Sequence, residues 1–191
     1  MPCSSLTLAL RSRNLAFVRA SPMLNFSWLR LRCAGTLVPV NVEGPVTGVA
    51  AQCERVLRTL PLWFGIESSL MEYVRDTERY PTFVARAADD VVGFATIRQH
   101  FADAWELNCI AVAAHARNQG VGRALHACVE RWLIAHAVRL LQVKTLSDRH
   151  PSAEYAETRR FYARVGYVAL EEFPNLWGPR LPVLQLVKTL R

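Results

Sequence analysis

The 191-residue chain has no run of about twenty uncharged apolar residues, and this excludes a membrane-spanning helix. It has no H-E-x-x-H pattern and no Cys/His cluster, so its five histidines suggest no metal site. Its five cysteines are odd in number and never spaced C-x-x-C, which points away from a disulfide framework and towards reduced thiols of an intracellular protein. Cys109 and Cys128 fall in apolar patterns and read as core residues. The absence of G-x-x-x-x-G-K-[ST] removes a P-loop. No internal repeat is visible. Acidic residues are missing altogether from residues 1–40, which hold five arginines. Most of the formal net charge of +7 therefore lies in that segment, and the remainder carries only +2. Such a balance gives a nucleic-acid partner little support.

What is present is enough for a packed core. Hydrophobic residues make up 51% of the chain and charged ones 20%, and the length suits one domain with an extension. Residues 1–35 are Arg-rich and Ser-containing, and are expected to form a poorly ordered arm outside a domain of residues 36–191. The composition of the arm fits an organelle transit peptide, and equally a start assigned too early, with Met23 as one alternative. The expected compartment is the cytoplasm, or an organelle if the arm is a transit peptide.

The chain is organised around residues 117–125, RNQGVGRAL. An apolar run at 107–112 precedes it and an amphipathic run at 121–137 begins inside it, which reads as strand, basic glycine turn and helix. Gly120 and Gly122 remove side chains where a ligand could approach the backbone. The first turn of a helix leaves N–H groups unpaired, and its dipole favours negative charge there. Arg117 and Arg123 add two cations. The stretch therefore reads as a cradle for a phosphate or pyrophosphate, although the same turn could simply join a strand to a helix. A dinucleotide fingerprint fits less well: Leu125 stands where the third glycine belongs, and no acid ends the next strand at 140–146.

Around this centre the spacing predicts strands at 36–42, 82–87, 91–99, 104–112, 139–146, 167–171 and 183–189, and helices at 46–60, 67–76, 121–137 and 152–165. Gly44-Pro45 should end the first strand, and Pro39 would suit an edge position. Simple alternation puts Glu106, Asn108, Ile110 and Val112 on one face of their strand. Ser152 is the expected N-cap of the last helix and Gly166 its C′ residue. The strands at 104–112 and 139–146 should be parallel, joined by a right-handed crossover through the helix between them.

Arg117-x-x-Gly120-x-Gly122 resembles the [QR]-x-x-G-x-[GA] signature of the GNAT N-acetyltransferases, and the order β-α-α-β-β-β-α-β-α-β-β is similar to theirs. The resemblance spans about residues 37–190 and is most specific over 105–167. It implies an α/β (α+β) fold: a mixed, mostly antiparallel sheet with a central parallel strand pair and helices on both faces. It also implies an acetyl-CoA-dependent N-acetyltransferase in which the amine attacks the thioester directly, with no metal; the alternative is a CoA-binding sensor or scaffold without turnover. The backbone of Ile110, Ala111 and Val112 would pair with the pantetheine arm. One N–H there would stabilise the developing oxyanion, worth roughly 3 kcal/mol in other acyl-transfer sites. The pyrophosphate would meet the amides of Gln119, Gly120, Val121, Gly122 and Arg123, with Arg117 and Asn118 beside them. Glu106 is the expected general base. Tyr162, in a segment resembling F-Y-x-x-x-G-[FY], is the expected general acid. Asn108, Tyr155 and Arg159 are secondary candidates. The acceptor would be a small-molecule or protein amine, met by the variable segments 61–80, 148–151 and 174–182. A homodimer through the last strand is compatible with the resemblance, and neither nucleic acid nor membrane is an expected partner.

Overall fold

The structure is a computed structural model that describes residues 29–33 and 36–191. Most of the expected arm, residues 1–28, lies outside the described residues. In chain order the elements are β1 (Arg30–Cys33), β2 (Thr36–Val46), α1 (Ala50–Arg58), α2 (Glu67–Arg79), β3 (Thr82–Ala87), β4 (Asp90–Gln99), β5 (Ala104–Val112), a 3-10 turn (Ala114–Ala116), α3 (Val121–Ala135), β6 (Leu140–Leu146), α4 (Ala153–Arg164), β7 (Val168–Phe173) and β8 (Val183–Thr189). The eight strands form one sheet in the order β1-β2-β3-β4-β5-β6-β8-β7. Every neighbouring pair is antiparallel except β5 with β6.

Helices cover both faces of this sheet. In β4, Val91 to Ile97 are all buried, a continuous run that only a strand covered on both sides can show. The helix α3 packs on β2 to β5, α1 on β4 and β5, and α4 on β6. The apolar stripe of α3 buries Val121, Leu125, Val129 and Leu133. Ser152 caps α4 as expected, its side chain accepting from the Tyr155 N–H at 3.2 Å. Gly166 closes the helix with a φ of +92°, and the Tyr167 N–H returns to the Tyr162 carbonyl at 3.0 Å.

Three features differ from the sequence reading. Residues 30–33 are a strand of the sheet, with Leu31 fully buried; four residues with two arginines are too short and too polar to show a strand period. The strand β2 runs on to Val46 instead of ending at Gly44-Pro45, so α1 starts at Ala50. Its register with β3 slips between Glu43 and Val46, and this irregularity absorbs the dipeptide. A Cβ at Gly44 would lie 2.7 Å from the Phe83 ring, so the strand passes there only because residue 44 has no side chain. Pro39 is in an interior strand, but in the part of β2 before its pairing with β3 begins at Val40.

The third difference bears on the site. Thr96 of β4 faces Cys109 of β5, but Ile97 faces Leu107, so Asn108 is an extra residue. This bulge inverts the alternation. Glu106 therefore shares a face with Cys109 and Ala111, and not with Ile110 and Val112.

Replacing Leu125, whose side chain is completely buried between α3 and the sheet, tests the core. Leu125→Ala should lower the unfolding free energy by about 2–5 kcal/mol in denaturant titration; a loss below about 1 kcal/mol, the scale of many surface changes, would contradict this packing.

Candidate active site

The parallel pair β5–β6 is joined for only three residue pairs, from Ala104↔Leu140 to Glu106↔Gln142. Beyond them the strands part. A cavity of about 920 Å³ fills the opening, lined by Asn108 to Val112 of β5 and by Lys144, Thr145 and Leu146 of β6. One edge of β5 is therefore paired with β4 and the other faces empty space, where an extended ligand could add as a strand.

The glycine turn forms the floor at one end. Asn118 has a φ of +60° and Gly120 a φ of +86°. These left-handed residues turn the chain sharply from the 3-10 turn into α3, and the glycine makes the second bend without steric cost. Among the described residues no side chain caps α3. The first bond of the helix is Ala124 N–H to Gly120 C=O, at 3.0 Å, and the amides of residues 118–123 have no acceptor among the described residues. Ala116, Arg117, Asn118, Gly120, Gly122 and Arg123 line the cavity. A Cβ at Gly122 would meet nothing closer than 3.6 Å. Packing therefore does not demand a glycine there, and the absent side chain leaves the cradle open.

Other expected contacts are arranged differently. Val121 is buried and, like Gln119, does not line the cavity. The Gln119 side chain bonds away from the cavity, to the Arg32 N–H at 2.7 Å and the His115 carbonyl at 3.1 Å. The Arg117 guanidinium lies 4.2 Å from the centre of the Trp63 ring and donates to Glu157 at 3.1 Å. It is thus held in place by a stacked ring and a carboxylate. Arg160 and Arg164, one turn apart on α4, also line the cavity; the sequence reading passed over them because exposed arginines on a helix are common.

Tyr162 lines the cavity from α4 and is 5% exposed. Its ring packs edge-on against Phe161 and Tyr167. Burial pushes its phenol well above the ordinary value, with Cys109, Tyr73 and Tyr155 adding to the effect. The phenol therefore keeps its proton at neutral pH and is available as a donor. Tyr167 is raised likewise, first by burial.

Glu106 is 8% exposed and committed to two partners. His100 Nε2 lies 2.6 Å from one oxygen, and Lys144 Nζ donates to the other at 2.7 Å. Lys144 lines the cavity, whereas Glu106 itself stands behind it. Neither partner is apparent from sequence order, because the bulge at Asn108 and the β5–β6 pairing bring them together. Asn108 donates to Asp76 of α2 at 3.0 Å. Tyr155 lines the cavity, and Arg159 is tied to the Leu146 and Ser147 carbonyls, both at 2.9 Å. Among the described residues no group of three His, Cys, Asp or Glu is placed to hold a metal ion, and no helix is long and apolar enough to cross a membrane.

Comparison with known proteins places this arrangement. The model of the acetyltransferase (GNAT) family matches residues 53–167. A GNAT-family protein from Desulfovibrio desulfuricans superposes with a TM-score of 0.71 at 22% identity, over 80% of this chain and 99% of its own. The aminoglycoside 6'-N-acetyltransferase of Enterococcus faecium gives 0.59 at 22%, over 75% and 91%. A GNAT acetyltransferase from Elizabethkingia anophelis, solved with acetyl-CoA bound, gives 0.61 at 15%, over 79% and 98%. Comparison with curated protein sequences yields no match.

The buried tyrosines have a consequence for stability. Their folded-state values lie above the unfolded ones, so the native state holds protons that the unfolded chain releases above about pH 10. Their contribution to stability is complete below that pH and declines above it. Melting temperature should begin to fall at about pH 9, where the buried Cys53 and Cys109 thiols, also raised by burial, start to contribute. It should fall more steeply above about pH 10, and Tyr162→Phe should make that steeper part shallower. An unchanged slope would show that the phenol is not held protonated by burial.

Proposed function

Since the chain belongs to the acetyltransferase (GNAT) family, we propose that it is an acetyl-CoA-dependent N-acetyltransferase whose acceptor is a small-molecule or protein amine. The observation that supports this reading is that one cavity is lined both by the glycine turn, whose amides at 118–123 have no acceptor among the described residues, and by an edge of β5 that β6 leaves open. The two features match the two ends of one ligand: a diphosphate for the amides and an extended amide-bearing arm for the strand edge.

In this reading the diphosphate lies across the start of α3, with Arg123 beside it. The arm runs along Ile110, Ala111 and Val112. A backbone N–H of that edge meets the thioester oxygen as negative charge develops on it. The amine nitrogen bonds to the carbonyl carbon, the carbon–sulfur bond breaks, and Tyr162 gives a proton to the departing sulfur. The amine's proton passes through water to Glu106, since Glu106 stands behind Lys144 and does not line the cavity. The carboxylate is held between Lys144 and His100, which fix its two oxygens as that proton arrives.

That same pairing is the specific observation favouring a second reading, a CoA-binding domain without turnover. A carboxylate whose two oxygens are both engaged can serve structure alone. Release of free CoA from acetyl-CoA in the presence of an amine panel separates the readings. A transferase should release CoA with at least one amine, whereas the binding domain should bind acetyl-CoA and release none.

For a transferase, Tyr162→Phe should lower kcat roughly 10²-fold or more with little change in acetyl-CoA affinity. Glu106→Gln should lower the rate by a similar order at neutral pH, and the loss should shrink as the amine becomes neutral at higher pH. An unaltered kcat in Tyr162→Phe would remove the phenol from the proton path, and an unaltered pH profile in Glu106→Gln would remove the carboxylate.

A further inference from the structure

The segment before β2 touches the glycine turn from outside. Arg32 donates its backbone N–H to the Gln119 side-chain oxygen at 2.7 Å. The amide nitrogen of the same side chain donates to the His115 carbonyl at 3.1 Å. Gln119 therefore bridges β1, the 3-10 turn and the start of α3. Leu29 stands next to Gly120, where a Cβ would come within 3.3 Å of its methyl group. The segment is itself anchored, by the Val40 N–H to the Leu29 carbonyl at 2.8 Å and by the fully buried Leu31. The Arg32 N–H is free to reach Gln119 because β1 is the edge strand of the sheet.

The turn needs such support. It carries two left-handed residues, Asn118 and Gly120, and six amides without acceptors among the described residues. A loop of that kind gains little from backbone hydrogen bonds of its own, and any loosening of it spreads the donors that a diphosphate must meet together. The family model starts at residue 53, so β1 lies outside the part of the chain that the family pattern describes.

We infer that residues 29–33 are a working part of the cofactor site: they clamp the outer side of the glycine turn through Gln119 and Gly120, and so set the affinity for acetyl-CoA. Gln119 is then a positioning residue: its side chain faces β1 and holds the turn whose amides would meet the ligand. A form of the chain beginning after residue 33 would lack the clamp. This rests on the reading of the cavity as an acetyl-CoA site.

The test is calorimetric titration of the full chain with acetyl-CoA, alongside the melting temperature of the unliganded protein. Gln119→Ala removes the acceptor but keeps the loop amide, and Arg32→Pro removes the donor at an edge position where proline is tolerated. Each should raise Kd roughly three- to tenfold, the scale of one lost hydrogen bond, with the free protein melting as before. The double variant should lose no more than Gln119→Ala alone, because that variant already removes the Arg32 bond together with the one to the His115 carbonyl. Full-chain binding with unchanged Kd in both variants, or losses that simply add, would overturn the clamp. A full chain that binds no acetyl-CoA would overturn the cofactor reading and the clamp with it.

Discussion

Backbone polar groups left without partners are the constraint on which this molecule turns. A protein rarely leaves N–H and C=O groups unpaired beside a cavity, because each one unmade costs free energy that packing elsewhere must offset. Here two sets are left open together. Among the described residues the amides of 118–123 have no acceptor, and β5 loses its β6 partner after Glu106. The sheet is extensive everywhere else, with β4 buried along most of its length and β6 paired with β8 throughout. A rigid frame of that kind can hold open an edge that a smaller sheet would close.

The bulge at Asn108 joins the frame to the chemistry. By inserting one residue against β4 it turns Glu106 and Cys109 onto the same face. Both groups then act on the Tyr73 phenol, which burial foremost raises above its ordinary range. The same face carries the Glu106–Lys144 ion pair across the last rung before the strands part. Burial of a carboxylate at that point is costly unless it is paired; Lys144 supplies the opposite charge, and His100 engages the other oxygen. The tyrosine on α4 is held differently, by aromatic contacts with Phe161 and Tyr167 that leave its proton in place.

Much of this was legible in the residues. The glycine turn, the parallel crossover and the Ser152 and Gly166 ends of α4 depend on local chemistry, and each appears where the spacing puts it. What escaped was set by partners distant in sequence. The strand at Arg30–Cys33 exists because β2 offers it an edge, and nothing in its four residues signals that. The continuation of β2 through Gly44-Pro45 depends on close passage over Phe83. The engagement of Glu106 by Lys144 depends on pairing across 38 positions, and the side chain of Gln119 answers to Arg32 across 87. Alternation along β5 failed at one residue, and that residue is the bulge.

Amide hydrogen exchange, read residue by residue by NMR with and without acetyl-CoA, tests the central claim most directly. Residues 118–123 should exchange rapidly in the free protein, because their N–H groups have no acceptor among the described residues, and should slow markedly when the diphosphate supplies one. Slow exchange at those amides in the free protein, or exchange that acetyl-CoA leaves unchanged, would contradict the account.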